Sequence, residues 1–130
     1  MIVLDASALV DVVLDQPAAA WVLDRIASEE ISSPAHQQAE VLSALTRLLR
    51  AGELDVETAQ EALREAWALP QQLVQPSVAH LDRALGLRER IRVLDGLYVA
   101  LAEERGCALV TTDRRLSAAQ APCEVQVPPG

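Results

Sequence analysis

A doubly wound α/β sandwich, a mainly parallel sheet with helices on both faces, is the fold that the sequence predicts. Three observations predict it. Short unbroken apolar runs, Ile2-Val3-Leu4 and Cys107-Ala-Leu-Val-Thr111, have the character of strands covered on both faces. Longer stretches with apolar residues at helical spacing alternate with the candidate strands, and such alternation implies parallel pairing through crossovers. Both apolar runs also end in aspartate, Asp5 and Asp113. Ligands bind just past the carboxyl ends of strands in open α/β sheets, so these two acids are expected at the functional edge.

The elements follow in order. After the strand that Asp5 ends, Ala6 to Leu14 carries Ala8, Leu9, Val12 and Val13 on one helical face, and Gln16-Pro17 breaks it. A second helix is expected from Pro17 to about Ala27, with Trp21, Val22 and Ile26 inward. Ile31-Ser-Ser33 is a short strand, and Pro34 opens a helix that ends at Ala51-Gly52. Val41, Leu42, Leu45, Leu48 and Leu49 form that helix's broad apolar stripe. Asp55 suits the N-cap of a helix reaching Leu69, and Gln72 to Gln75 is a third strand. Ser77 caps a helix containing Val78, Leu81, Leu85 and Leu87. Leu94, Leu97, Tyr98 and Leu101 stripe the next one, which carries Asp95 in its first turn, where a carboxylate complements the helix dipole. Gly106 has the character of a left-handed C-terminal cap, the Cys107 to Thr111 strand follows, and Glu124 to Val127 is a terminal edge strand.

With 130 residues, 51% of them hydrophobic, the chain is read as one domain spanning residues 1–130, with a core of Ala, Val, Leu and Ile because it has no Phe. It contains no apolar run of membrane-spanning length and no basic flank of a signal peptide. Cys107 and Cys123 are too few for a disulfide framework, so reduced thiols in a cytoplasmic protein are expected. The net charge of −8 has the wrong sign for binding duplex DNA through a basic face. A divalent metal in an acidic pocket reverses that sign locally.

Parallel strands bring Asp5 and Asp113 to one edge, and Asp95 enters from the helix just before the second strand. Glu40 lies off the centre of its helix's stripe, beside Ala44 and Arg47, so periodicity leaves it facing either bulk water or a cleft. Converging carboxylates are tolerated only if some are protonated or a cation compensates them. Oxygen-only ligands select Mg²⁺ or Mn²⁺, which points to metal-assisted phosphodiester hydrolysis. All eleven cationic side chains are arginine. The absence of lysine sets aside a receiver-type phosphorylation switch and, together with Ser7 at the second-aspartate position, a dehalogenase-type phosphatase. No Gly-x-Ser-x-Gly elbow supports a serine hydrolase, and His36 and His80 lack zinc spacing.

The chain resembles PIN-domain ribonucleases of the VapC toxin type over nearly its whole length. The resemblance is carried by Ile-Val-Leu-Asp5-Ala-Ser7, Ala39-Glu40-Val41 with Leu45, Leu94-Asp95-Gly-Leu-Tyr98-Val-Ala-Leu-Ala102, and Leu109-Val-Thr111-Thr-Asp113-Arg-Arg-Leu116. It implies an acidic quartet of Asp5, Glu40, Asp95 and Asp113, with Thr111 supporting a Mg²⁺ or Mn²⁺ site. It also implies a homodimer, endonucleolytic cleavage of RNA, and inhibition by a cognate antitoxin. Two departures stand out: Gly96 occupies a usual alanine position, and Arg114 and Arg115 follow Asp113 where many relatives have a further acid. That leaves a second metal site without its usual ligand. The two arginines suit either phosphate contacts or a solvated surface. The alternative to a nuclease is a catalytically silent PIN-fold binding protein, against which the intact quartet argues.

Overall fold

The computed structural model describes residues 1–130. Five parallel strands, β1 (Ile2–Leu4), β2 (Ile31–Pro34), β3 (Gln72–Val74), β4 (Ala108–Val110) and β5 (Val125–Gln126), form one sheet in the order β3-β2-β1-β4-β5. Seven helices connect them: α1 (Ala6–Val13), α2 (Ala19–Ile26), α3 (Gln37–Arg50), α4 (Val56–Ala68), α5 (Val78–Gly86), α6 (Val93–Arg105) and α7 (Arg114–Ala118). The chain winds outward from β1 to β3, returns to β4 beside β1, and continues to β5. Right-handed crossovers therefore put α1 to α4 on one face and α5 to α7 on the other. Accordingly α1 packs on α2, α3 and α4, while α6 packs on α5 and on β1, β2 and β4. The winding reverses between β1 and β4, and their carboxyl ends carry Asp5 and Asp113.

β1 and β4 are buried throughout, as their unbroken apolar runs require, and with Leu9, Val41, Leu45, Tyr98, Val99 and Leu101 they form the core. The α6 helix is enclosed on all sides from Asp95 to Ala102, because the sheet covers one face and α5 the other. A single apolar stripe does not describe such a helix, and Leu94, expected on that stripe, is exposed. Gly106 ends α6 at φ 62° and ψ 36°, the left-handed cap that its sequence position suggests.

Other expectations need correction. Pro34 closes β2 rather than opening α3, which starts at Gln37. In α5 the buried residues are His80 and Ala84, with Leu87 just beyond it, while Val78, Leu81 and Leu85 face outward. Small Ala84 permits close approach to α6, whereas the larger residues would hold the helices apart. Leu42 is likewise exposed, and Trp21 is only half-buried against the core. The short α7 had no sequence counterpart, because five residues are too few to display a period. It is anchored by Asp113 at its N-cap and by buried Leu116.

Candidate active site

A cleft of about 770 Å³ opens where the winding of the sheet reverses. Asp5, Glu40, Asp95 and Asp113 all line it, together with Arg47, Arg92 and Arg115. The sequence left Glu40 undecided between water and a cleft, and the structure turns it into the cleft. Of the two candidate arginines, only Arg115 lines it; Arg114 Nη2 instead donates to the Pro128 carbonyl at 2.6 Å. The α7 turn separates the pair, so consecutive positions point to different surroundings.

Asp5 follows β1 directly and caps α1 without a side-chain bond to that helix's backbone N–H groups. Its Oδ2 accepts instead from Thr111 Oγ1 at 2.6 Å and from Ser7 Oγ at 2.7 Å. Thr111 Oγ1 in turn accepts from the Asp113 backbone N–H at 3.0 Å. One buried hydroxyl thus ties the strand-end aspartates together. Burial pushes the Asp5 carboxyl up to about 6; the two hydroxyl donors offset part of that rise, while the charges of Asp95 and Glu40 add to it.

Asp95, buried in the first turn of α6, pairs with Arg92 Nε at 3.1 Å. Asp113 is held by a bidentate pair, Arg115 Nε to Oδ1 at 3.1 Å and Nη2 to Oδ2 at 2.9 Å. The Arg115 hydrogen bond keeps Asp113 below the usual carboxylate range, against the opposing effect of partial burial. Glu40 Oε1 accepts from Tyr98 Oη at 2.8 Å and lies 3.3 Å from His36 Nε2. Burial alone would raise the Glu40 carboxyl, but hydrogen bonding to His36 and Tyr98 outweighs it and lowers the value. His36 Nε2 also lies 3.2 Å from the Leu94 carbonyl. Both its neighbours accept, so the ring proton belongs on Nε2. Burial, reinforced by the charges of Asp5 and Glu40, raises the Tyr98 phenol, which therefore remains a donor.

Ser7, His36, Arg92 and Tyr98 join the site without having been singled out in the sequence. The signals were local ones. Ser7 lies two residues after Asp5, His36 one helical turn before Glu40, and Tyr98 one turn after Asp95. Tyr98 was absorbed into an apolar stripe because its ring is indeed core, while its hydroxyl serves the cleft.

The donor set is four carboxylates with Ser7 and Thr111 hydroxyls, all oxygen, which suits a hard divalent cation. The charges of Asp95 and Glu40 add to the rise that burial causes at Asp5, and such an ion would offset them. The carboxylates are not gathered into a preassembled cage of three or more. Hydroxyls and arginines hold them individually: Arg92 engages Oδ2 of Asp95, and Arg115 engages both oxygens of Asp113.

Comparison with known proteins finds relatives over most of the chain. A profile described as "PIN domain" matches residues 2–122. The chain is 42% identical to Ribonuclease VapC3 of Mycobacterium tuberculosis over 120 residues, covering 91% of this chain and 86% of that protein. It is 38% identical to Ribonuclease VapC12 of the same organism over 117 residues, 90% of each chain. Among solved structures, PAE2754 from Pyrobaculum aerophilum superposes with a TM-score of 0.71 at 25% identity, covering 95% of this chain and 87% of that one. The crystal structure of Mycobacterium tuberculosis VapC20, a Sarcin-Ricin loop cleaving toxin, gives 0.71 at 17% identity, covering 93% and 96%.

Proposed function

This chain belongs to the PIN-domain family, and from that premise we propose that it is a single PIN domain acting as a metal-dependent endoribonuclease, the toxin of a toxin–antitoxin pair. One observation carries the reading: Asp5, Glu40, Asp95 and Asp113, distant in sequence, line a single cleft at the reversal of the sheet. The VapC ribonucleases at 42% and 38% identity support the reaction class.

In this reading Asp5, Asp95 and Asp113 hold Mg²⁺ or Mn²⁺, with Glu40 as the fourth acid and Thr111 orienting Asp5. When bound, such an ion polarises a phosphodiester and offsets charge building on its oxygens. Glu40, kept ionised by its hydrogen bonds, can accept a proton at Oε2, the oxygen not engaged by Tyr98. Arg47, Arg92 and Arg115 surround the acids with guanidinium groups suited to phosphates on either side of the cut. Arg115→Gln with Arg92→Gln should weaken RNA binding and flatten its dependence on salt. A salt slope equal to that of the wild type would remove both from the substrate path.

An antitoxin is the protein partner in this reading. A second groove of about 620 Å³ between α1 and α4 meets the cleft at Val10 and Asp11. Its floor includes Val13, Leu14 and Leu54, and its rim carries Asp15, Glu53, Glu61 and Glu65 without a cation. Apolar floor and acidic rim suit a basic amphipathic segment that continues into the active site. No helix is long and apolar enough to cross a membrane, and both cysteines are free thiols, which supports action in the cytoplasm. Asp5→Asn, Asp95→Asn and Asp113→Asn, each made in the purified protein, should abolish RNA cleavage while the circular dichroism spectrum stays native. Wild-type cleavage by all three would refute the proposed site.

A further inference from the structure

The β1–β2 seam opens just before the active site, and one residue accounts for the opening. β1 and β2 pair at Ile2↔Ile31 and Val3↔Ser32 and then stop, although β1 stays paired with β4 to Leu4↔Val110 and β2 with β3 to Pro34↔Val74. Backbone groups alternate sides along a strand. The Ala35 N–H donates to Val74 on the β3 side, so residue 34 faces β1, and its N–H would be the one to reach the Leu4 carbonyl. Residue 34 is proline and has no N–H. The last carbonyl of β1, one residue before Asp5, is thereby left without a backbone donor.

Side chains supply the replacement. Gln37 Nε2 donates to Leu4 O at 3.0 Å, and Ser33 Oγ lies 3.1 Å from the same oxygen. Gln37 Nε2 also lies 3.1 Å from Ser33 Oγ and 3.1 Å from Gln71 Oε1, while Gln71 Nε2 donates back to Gln37 Oε1 at 2.6 Å. Gln38 Nε2 reaches Gln37 Oε1 at 3.1 Å. Ser33 and Gln37 are fully buried. Burying a primary amide costs free energy unless its hydrogen bonds are made, and a leucine of similar volume would fill the same space without that cost. What an amide adds is direction. Apolar contacts let a helix slide by fractions of an ångström, whereas a hydrogen-bonded amide does not.

Gln37 is the first residue of α3, and Glu40 is on the same side one turn later. Leu4 immediately precedes Asp5. We propose that Pro34, Ser33, Gln37 and Gln71 form a positioning device that opens the β1–β2 seam and locks the first turn of α3 to the end of β1. It thereby sets the separation of Glu40 from Asp5. Gln37 touches no reacting group; it acts through the two acids, and the inference rests on the metal-nuclease reading above. Supporting groups around a metal site contribute about tenfold or more to affinity or rate, which sets the size of the expected effect.

The test compares Gln37→Leu, Gln71→Leu and the double variant by three readouts: melting temperature without metal, Mn²⁺ affinity by calorimetry, and kcat and KM on a single-stranded RNA. Gln37→Leu strands the Gln71 amide and should lower the melting temperature; removing both amides should restore most of it, since apolar replacement of both partners is close to neutral. Mn²⁺ affinity and kcat should remain down by about tenfold in the double variant, with KM unchanged because the arginine rim is intact. Recovery of Mn²⁺ affinity and kcat along with the melting temperature would overturn the inference and make the network purely structural. If the double variant does not fold, Gln71→Leu alone decides: a lowered kcat at constant KM supports the device, and wild-type kcat and Mn²⁺ affinity overturn it. Wild-type protein that neither binds Mn²⁺ nor cuts RNA would instead remove the nuclease reading, an outcome distinct from failure of the positioning device.

Discussion

Asp5 concentrates the chemistry of the cleft in one side chain. A carboxyl moved from 3.8 to about 6 by burial carries a penalty of roughly 3 kcal/mol for being ionised in the folded protein. Because the folded value is raised, its neutral form contributes stability that is complete below the unfolded value and is lost as pH climbs through about 6. Asp5→Asn should therefore stabilise the metal-free protein by about 2 kcal/mol at pH 8 and by nothing at pH 3.5, measured by urea unfolding at the two pH values. A gain independent of pH would place its origin elsewhere. The proton and a metal ion compete for the same carboxylate, so apparent Mn²⁺ affinity should fall as pH drops below about 6. The strand-end acids were legible in the sequence because a polar residue ending an apolar run has an unambiguous place. Glu40 was not, since its direction depends on Tyr98, which reaches it from α6 across the fold, as well as on His36 one turn earlier in the chain. The split between Arg114 and Arg115 was equally hidden, because a five-residue helix decides it.

Elements were legible to the degree that their period matched their burial. β1 and β4 are covered on both faces and look it, whereas α6 is buried all round and α5 buries His80 and Ala84 while exposing Val78, Leu81 and Leu85. The α5–α6 contact explains the departure at residue 96. A Cβ on Gly96 would stand 3.1 Å from both the Cα and Cβ of Ala84, so the glycine lets the two helices touch. Gly96→Ala gains helix propensity of about 1 kcal/mol, yet α5 must give way because the new Cβ would stand 3.1 Å from the Ala84 backbone, closer than ordinary van der Waals contact. We expect a net destabilisation of about 1 kcal/mol by chemical denaturation, partly relieved by Ala84→Gly in the same chain. An unaltered or increased stability in Gly96→Ala would mean that α5 shifts freely. Pro34 was misplaced for a related reason: a proline before a helical pattern ordinarily signals its start, and here it ends a strand whose neighbour has already turned away.

At the scale of the molecule, an acidic chain still brings cations to its acidic cleft. The net charge is −8, but Arg47, Arg92 and Arg115 sit on the cleft itself. Val78, Leu81 and Leu85 of α5 face outward, as does Trp67 of α4, and the homodimer that the family resemblance implies would cover such apolar surface. Sedimentation velocity at micromolar concentration should show twice the monomer mass, and Leu81→Glu with Leu85→Glu should return it to 14.0 kDa. A strictly monomeric wild type would refute the homodimer. Metal-dependent cleavage of RNA at the four-acid cleft is the reaction to be tested. Its most direct measurement is the cutting of a 5′-labelled single-stranded RNA by purified protein, with Mg²⁺ or Mn²⁺, with EDTA, and with Asp5→Asn in place of the wild type. The expected result is defined internal fragments with wild type and metal alone. Fragments that persist in EDTA or with Asp5→Asn, or an RNA left whole by wild type with either metal, would contradict it.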